Sequence, residues 1–336
     1  MAHKVSVSGS KLTEVFGAGK RAEGERTRDV RVSLVVSRSA DRQLVEALKG
    51  AFVPELTHGS VDVRLLEEEG LPAADADVCV VAPDPDGELA MTCAVRSARM
   101  GIPCAVMVDS SLEVHELDVS GQTDAALGYL VASDPKAALE SLARWLVKAC
   151  KAKSLALAAN FPFVRPAKIR DLVDSCAAEN AAIGAIEFIP GADLPAMTMN
   201  QAKLAVQIAA ATGVELRIES LADLAGVLGA GFVYRAVARQ VAGAIPGVGW
   251  AVKGAIGYLG TQATGNALAL RYGTVPEGPL SQGGLDDVLN SLQSVPGNLG
   301  DLLSTLAKLV GERGAGSADA DKGSGFTWIG GGGHEA

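Results

Sequence analysis

Aromatic residues are scarce in this 336-residue chain: Phe, Trp and Tyr together make up 4 %, although hydrophobic residues make up 48 %. A core with so few rings must be aliphatic and finely packed, with much alanine and glycine. The chain is long enough for two domains. Its formal net charge of -9 and its pI of about 5.1 argue against a nucleic-acid-binding protein, which would carry a basic surface.

Cysteine pairs and histidine clusters are also missing. No two of the five cysteines form a CxxC motif, and no histidine stands at a metal-ligand spacing from a cysteine or another histidine. We therefore expect reduced core cysteines, no catalytic constellation, no bound metal and no cofactor. The cysteines lie in apolar runs at Cys79, Cys93, Cys104, Cys150 and Cys176.

Long apolar runs are absent as well. Residues 1–31 are polar and contain no apolar segment of the kind found in secretory signals. No stretch of about 18 residues is uniformly apolar, which a simple membrane-spanning helix would require. These patterns predict a cytoplasmic protein and leave membrane association open.

Carboxylates are lacking from one long segment, because no Asp or Glu stands between Asp223 and Glu277. The segment has two interpretations: a helix packed in a soluble bundle, or a helical hairpin at a membrane. A simple span would place Arg235 and Arg239 mid-bilayer at about 2.5–3.5 kcal/mol each, whereas an interfacial helix avoids that cost. The four basic residues of the segment are Arg235, Arg239, Lys253 and Arg271.

Strand and helix patterns alternate over residues 31–150. Short apolar runs separated by helical patterns predict an α/β domain with a five-stranded, mostly parallel sheet covered on both faces. The runs cover residues 32–36, 61–66, 77–82, 102–108 and 127–132. Residues 1–30 show no periodicity, so we expect a flexible arm there.

After residue 151 the pattern becomes helical. Residues 151–275 predict an all-α domain of helical hairpins with Pro-Gly corners, and residues 276–336 predict short helices followed by a Gly-rich disordered tail. Asp193 is positioned to cap the helix that begins near residue 194. The predicted structural corners are Pro190, Gly191, Asp193, Pro246, Gly247 and Gly249.

The nucleotide motifs of a small GTPase do not stand where the strand order requires them. A phosphate loop reads GxxxxGK[ST] directly after the first strand, because its backbone N–H groups and its Lys bind phosphate. Here residues 37–44 contain neither Gly nor Lys, and Asp41 would face a phosphate with the wrong charge. Nucleotide binding is therefore not expected.

Two family resemblances follow from these residues. Residues 32–150 resemble an Era-type small-GTPase domain that has lost its nucleotide motifs. Residues 160–272 resemble an uncharacterised bacterial helical domain found after GTPase modules and in YcjF-type membrane-associated proteins. The matching features are IPGAD at 189–193 with Gln201, LGAG at 228–231 with Arg235, and IPGVG at 245–249.

The second resemblance implies association with a membrane or with a GTPase partner, not catalysis. We therefore expect a non-catalytic adaptor or regulatory pseudo-GTPase whose helical domain contacts an anionic membrane surface or a protein. Two alternatives stay open: a divergent GTPase with phosphate contacts from Arg38 or Arg42, and a soluble self-associating module. The predicted surface contacts are Arg235, Arg239, Lys253 and Trp250.

Overall fold

The chain divides into two compact units. Described residues 27–168 with 326–329 form an α/β unit, and described residues 9–26 with 169–274 form a helical unit. The boundary falls within one helix. The computed structural model describes residues 9–67, 71–83, 87–108, 127–131, 134–186, 194–215, 249–274 and 326–329.

A six-stranded sheet is the centre of the α/β unit. Its strands are β1 (Val30–Val36), β2 (Gly59–Leu65), β3 (Val78–Ala82), β4 (Cys104–Val108), β5 (Leu127–Val131) and β6 (Phe326–Ile329). The order is β2-β1-β3-β4-β5-β6, with the first five strands parallel and β6 antiparallel to β5. The order 2-1-3-4-5 is one of the common doubly wound arrangements. The predicted five-stranded parallel sheet is confirmed.

Helices surround this sheet and build the second unit. In chain order they are α1 (Gly9–Arg26), α2 (Arg42–Ala51), α3 (Glu88–Arg99), α4 (Pro135–Ala149), α5 (Ser154–Asn160), α6 (Arg165–Ile186), α7 (Leu194–Ala211) and α8 (Gly249–Arg271). Single 3-10 turns, Lys151–Lys153 and Pro162–Val164, flank α5. An α/β domain followed by helices is thus the observed fold class.

The sheet core is mostly aliphatic, as the composition predicts, and also buries Trp145 and Tyr129. On one face, Val35, Val81 and Val106 pack with the small residues Ala90 and Ala94 of α3. On the other face α4 lies against β5. There Trp145 covers Gly128, because a Cβ at position 128 would collide with the indole.

Local sequence signals set the helix ends in the α/β unit. Asp134 caps α4, accepting hydrogen bonds from the N–H groups of Lys136 (2.9 Å) and Ala137 (3.0 Å), and Pro135 occupies the first turn. Gly101 follows α3 with φ 74°, a left-handed conformation that favours glycine.

Close packing between α6 and α8 depends on glycines. A Cβ at Gly257 would lie 2.6 Å from the backbone oxygen of Asn180, and one at Gly254 would lie 3.1 Å from that of Ala181. Bare glycine faces let two helix backbones approach this closely. The small residues seen in the sequence therefore pack helix against helix in this unit.

The prediction of a flexible arm at residues 1–30 is wrong for residues 9–26. That segment is α1, which packs against α7. Ala18, Ala22 and Arg26 recur every four residues and are buried, so the helix does have a packing face. Glu14 also pairs with Lys203 of α7, with 2.9 Å between carboxylate and ammonium. The periodicity was hidden because small residues, not large apolar ones, form the stripe.

The predicted boundary at residue 151 needs correction. Residues 151–168 belong to the α/β unit. The ring of Phe161 packs edge-on against that of Phe52, with 5.3 Å between centroids. Arg165 lies 2.5 Å from the carboxylate of Glu55. A helical pattern cannot show which unit a helix packs with, since both units present apolar faces.

The Gly-rich C-terminal region also differs from the prediction at one place. Residues 326–329 form β6, which pairs with β5 in the register Leu127↔Ile329 to Leu130↔Phe326. Its side chains Phe, Thr, Trp and Ile favour strands. The predicted short helices of this region lie outside the described residues.

Candidate functional site

The strand order identifies one position where a ligand would be expected. In doubly wound sheets, ligands bind beyond the carboxyl ends of the strands at the point where the order reverses. In this sheet that point lies between β1 and β3. The groups at this edge come from the loop of residues 37–41, which joins β1 to α2, and from Pro83 and Gly87 after β3.

Short hydrogen bonds hold the loop after β1 against β3. The N–H of Ser37 donates to the carbonyl of Ala82 at 2.9 Å, which joins the two strand ends across the reversal point. The Ser37 hydroxyl lies 3.1 Å from the Ser39 hydroxyl and accepts the N–H of Ser39 at 3.2 Å. The two serines therefore bind the loop's own groups.

A carboxylate caps the helix that points at this edge. The Oδ2 atom of Asp41 accepts a hydrogen bond from the N–H of Leu44 at 2.8 Å, at the start of α2. This is the N-cap geometry that satisfies a free amide and complements the positive end of the helix dipole. A negative charge thus stands where a phosphate would have to bind, as the sequence indicated for Asp41.

The two arginines of the divergent-GTPase alternative lie nearby and are exposed. Arg38 is 3.7 Å from the carboxylate of Glu67, with 77 % of its side chain exposed. Arg42 is 2.8 Å from Glu46, one turn along α2, with 89 % exposed. Ion pairs this exposed contribute about 0–1 kcal/mol. Both guanidinium groups are therefore free to exchange partners at small cost.

All five cysteines are buried thiols outside any disulfide, as predicted. A hydrogen bond with Cys104 raises the pKa of Cys79 well above its usual range, and a hydrogen bond with Cys79 together with burial raises the pKa of Cys93. Burial raises the pKa of Cys150 to about 12. Since the thiolate is the nucleophile, these raised pKa values make the three thiols unreactive at neutral pH.

A buried polar cluster in the helical unit was not anticipated from the sequence. The side-chain amide of Asn180 on α6 donates to the Thr261 hydroxyl on α8 at 2.8 Å, and the side-chain amide of Asn200 on α7 donates to the side-chain oxygen Oδ1 of Asn180 at 3.2 Å. Asn180 and Thr261 are both 0 % exposed. The one sequence signal is the four-residue spacing of Gly257, Thr261 and Gly265, which places a hydroxyl within a small-residue face.

This cluster fixes how three helices meet. Thr261 also donates to the carbonyl of Gly257 at 2.7 Å, so its hydroxyl serves as donor and acceptor at once. Beside it, Gln262 donates to the carboxylate of Asp174 on α6 at 2.6 Å. Buried hydrogen bonds of this kind specify register, because a shifted helix would leave the polar groups unpaired. The hydrogen bonds of this cluster therefore serve to hold the three helices in register.

Some of the predicted contact and corner residues lie within the described residues and others lie outside them. Gly249 begins α8, and Trp250 and Lys253 lie in its first turns. Since α8 packs against α6 and α7, the described half of the acid-free segment, residues 249–274, is a helix of a packed bundle. The remaining predicted residues lie outside the described residues; they are Arg235, Arg239, Pro190, Gly191, Asp193, Pro246 and Gly247.

Within the described ranges, no helix has the length and apolarity to cross a membrane, and no three His, Cys, Asp or Glu side chains are grouped to hold a metal ion. No family model, curated protein or solved structure matches the chain. Function is therefore inferred from the chain's own residues.

Proposed function

We propose that this protein is a non-catalytic adaptor, a regulatory pseudo-GTPase, whose α/β unit binds a protein partner and whose helical unit contacts an anionic membrane surface. The observation that carries the proposal is the cap formed by Asp41. In nucleotide-binding α/β proteins the backbone N–H groups at the start of this helix bind phosphate. Here the N–H of Leu44 already donates to Asp41, 2.8 Å away.

The electrostatics at the reversal point support the same conclusion. A phosphate approaching α2 would meet the Asp41 carboxylate at close range, and like charges a few ångströms apart repel by several kcal/mol at an effective dielectric of about 20. The two exposed arginines are each paired with a glutamate. Together with Asp41, the carboxylates of Glu46 and Glu67 outnumber the two guanidinium groups around the loop, and residues 37–44 contain no Lys to add positive charge.

Isothermal titration calorimetry with GTP and GDP in the presence of Mg²⁺ tests this half of the proposal. We expect no saturable heat at micromolar nucleotide from protein that unfolds cooperatively on heating. One-site micromolar binding that is lost in Arg38→Ala and Arg42→Ala variants would overturn the proposal in favour of a divergent GTP-binding protein.

The membrane contact is assigned to the part of the acid-free segment that precedes α8. In α8 itself, side chains from Gly257 to Ala269 are largely buried within the helical unit, and that surface is not available to lipid. Arg235 and Arg239 precede this helix in a stretch without carboxylates, although the whole chain carries a net charge of -9. A locally basic, otherwise apolar segment favours an anionic interface.

Charge reversal tests the membrane assignment. We expect the Arg235→Glu/Arg239→Glu protein to lose binding to vesicles that contain phosphatidylserine. The matched control is Arg38→Glu/Arg42→Glu, which makes the same change in net charge on exposed side chains of the α/β unit. Equal loss in both doubly substituted proteins, or no loss in the first, would contradict the assignment.

A further inference from the structure

β2 forms one edge of the described sheet. Among the described strands only β1 pairs with β2, which ends the sheet on that side. Natural edge strands are usually kept short, bulged, or guarded by Pro or by charged side chains, especially Lys, since an open edge invites another strand. β2 has seven residues, reads GSVDVRL, and pairs with β1 residue by residue. It has no bulge, Lys or Pro, and its two charged residues, Asp62 and Arg64, are of opposite sign, so they repel only partner strands that set like charges opposite each other.

The backbone groups that point outward can be assigned. Val30 donates to the carbonyl of His58 at 2.8 Å, and Leu66 donates to the carbonyl of Val36 at 2.9 Å, so the residues just before and just after β2 both direct their hydrogen bonds to β1. Direction alternates along a strand. The even-numbered residues of β2 consequently direct their N–H and C=O groups to β1. Val61, Val63 and Leu65 direct theirs outward at the edge, whereas the N–H of Gly59 donates to the carbonyl of Leu56 at 3.4 Å.

The side chains on the same stretch are self-complementary. Val63 and Leu65 share one face and are 53 % and 47 % exposed. Asp62 and Arg64 share the other face, where the Arg64 Nε atom lies 2.5 Å from the Asp62 carboxylate. Both charged side chains are about half exposed. An apolar face and a face with one charge of each sign make a surface that fits its own copy turned around.

We propose that β2 pairs antiparallel with β2 of a second copy of this chain, in a register centred on Val63. In that register Val63 stands opposite its own counterpart, and Val61 stands opposite Leu65 of the second copy. All of these are odd-numbered residues with outward N–H and C=O groups, so they form the hydrogen-bonded pairs of an antiparallel ladder, each exchanging two bonds.

Charge selects this register over its neighbours. Asp62 then faces Arg64 of the second copy, and Arg64 faces Asp62 of the second copy, in the non-hydrogen-bonded pairs where side chains lie closest. Shifting by two residues in one direction sets Asp62 against Asp62, and in the other direction Arg64 against Arg64. Parallel pairing in register also sets like charges opposite each other. Among these arrangements, the proposed one alone forms the backbone hydrogen bonds and sets opposite charges against each other.

Dimerisation through β2 does not depend on the membrane contact proposed above, so either proposal can fail without the other. Sedimentation velocity over a concentration series measures the dimerisation. We expect a concentration-dependent dimer for the native protein and about tenfold or more weaker dimerisation for Asp62→Arg and for Arg64→Asp, because each change makes both cross-strand pairs like-charged. A control, Glu46→Arg, makes the same charge change as Asp62→Arg on the exposed face of α2 and should dimerise normally.

Restoring the opposite charges distinguishes a lost strand pairing from misfolding of the variants. An equimolar mixture of the Asp62→Arg and Arg64→Asp proteins should form a heterodimer, and the double variant Asp62→Arg/Arg64→Asp should dimerise again, since opposite charges then face each other. Val63→Pro should abolish the dimer, because it removes an outward N–H without removing a bond to β1. Three results would overturn the proposal. They are a native protein that stays monomeric and instead binds an extended peptide, an equimolar mixture that forms no heterodimer, and a dimer that persists in Val63→Pro.

Discussion

Replacing Thr261 by Val tests whether the buried polar cluster determines the helical unit's stability. Valine has nearly the shape of threonine but has no hydroxyl. The change removes the acceptor 2.8 Å from the Asn180 amide, in a site where both residues are 0 % exposed. An amide left without its acceptor away from water costs about 1–3 kcal/mol.

Two smaller effects change the loss of stability expected for Thr261→Val. The carbonyl of Gly257 loses the Thr261 hydroxyl at 2.7 Å but keeps its helical N–H partner four residues on, which limits that loss to about 0.5 kcal/mol. Burial of the new methyl group offsets up to about 0.8 kcal/mol. We therefore expect Thr261→Val to lower the free energy of unfolding by about 1–2 kcal/mol.

Urea unfolding followed by circular dichroism at 222 nm is the assay. Thr261→Ser keeps the hydroxyl and removes the methyl group, so it serves as the control that alters packing with the hydrogen bond intact. The variant Asn180→Leu combined with Thr261→Val should cost less than the sum of the single changes, because the Asn180 amide that Thr261→Val strands is no longer present. The Asn200 amide loses the Asn180 side-chain oxygen in both the single and the double variant and keeps the Glu179 carboxylate at 3.4 Å. A Thr261→Val protein as stable as the native one, with additive single and double changes, would refute the reasoning.

Two further predictions follow from close contacts and burial. Gly257→Ala should destabilise the helical unit by about 1–3 kcal/mol, since the new methyl would lie 2.6 Å from the Asn180 backbone oxygen; thermal unfolding measures this, and an unchanged midpoint would contradict it. Cys150 should contribute stability below its ordinary pKa, 9.0, and lose it as pH rises toward its folded-state value of about 12, because burial favours the neutral thiol. Unfolding as a function of pH in native and Cys150→Ala proteins checks this, and identical pH profiles between 9 and 12 would count against it.

The sequence was most informative where local pattern and burial coincide. Residues 32–36 of β1 and all residues of β3 are buried, so their apolar pattern was nearly continuous and easily recognised. Pro135 and Gly101 mark helix ends through local backbone preferences: proline fits the first turn, and glycine adopts the positive φ that follows the last turn. Such features are readable before any tertiary structure is known.

Other features depended on partners distant in sequence. The packing face of α1 consists of Ala18, Ala22 and Arg26, which become a stripe only once α7 is placed against them. β6 is a strand because it hydrogen-bonds to β5, which lies nearly 200 residues earlier in the chain. The Asn180–Thr261 bond joins two helices 81 positions apart. No local periodicity encodes contacts of this range.

The candidate site was predictable only in part. The sequence shows Asp41 directly before a helical pattern, and that was enough to anticipate its charge at the helix start. The reversal point between β1 and β3 required the strand order, which alternating patterns do not specify. The open edge of β2 likewise required knowing that β2 lies outermost in the sheet.

Vesicle flotation tests the adaptor proposal most directly. The purified full chain is mixed with neutral vesicles and with vesicles containing phosphatidylserine, at about 0.1 M and about 1 M salt, which shortens the Debye length from about 10 Å to about 3 Å. The account predicts flotation with the anionic vesicles at low salt and its loss at high salt. Absence of flotation in every condition, or salt-resistant flotation with neutral vesicles, would contradict it.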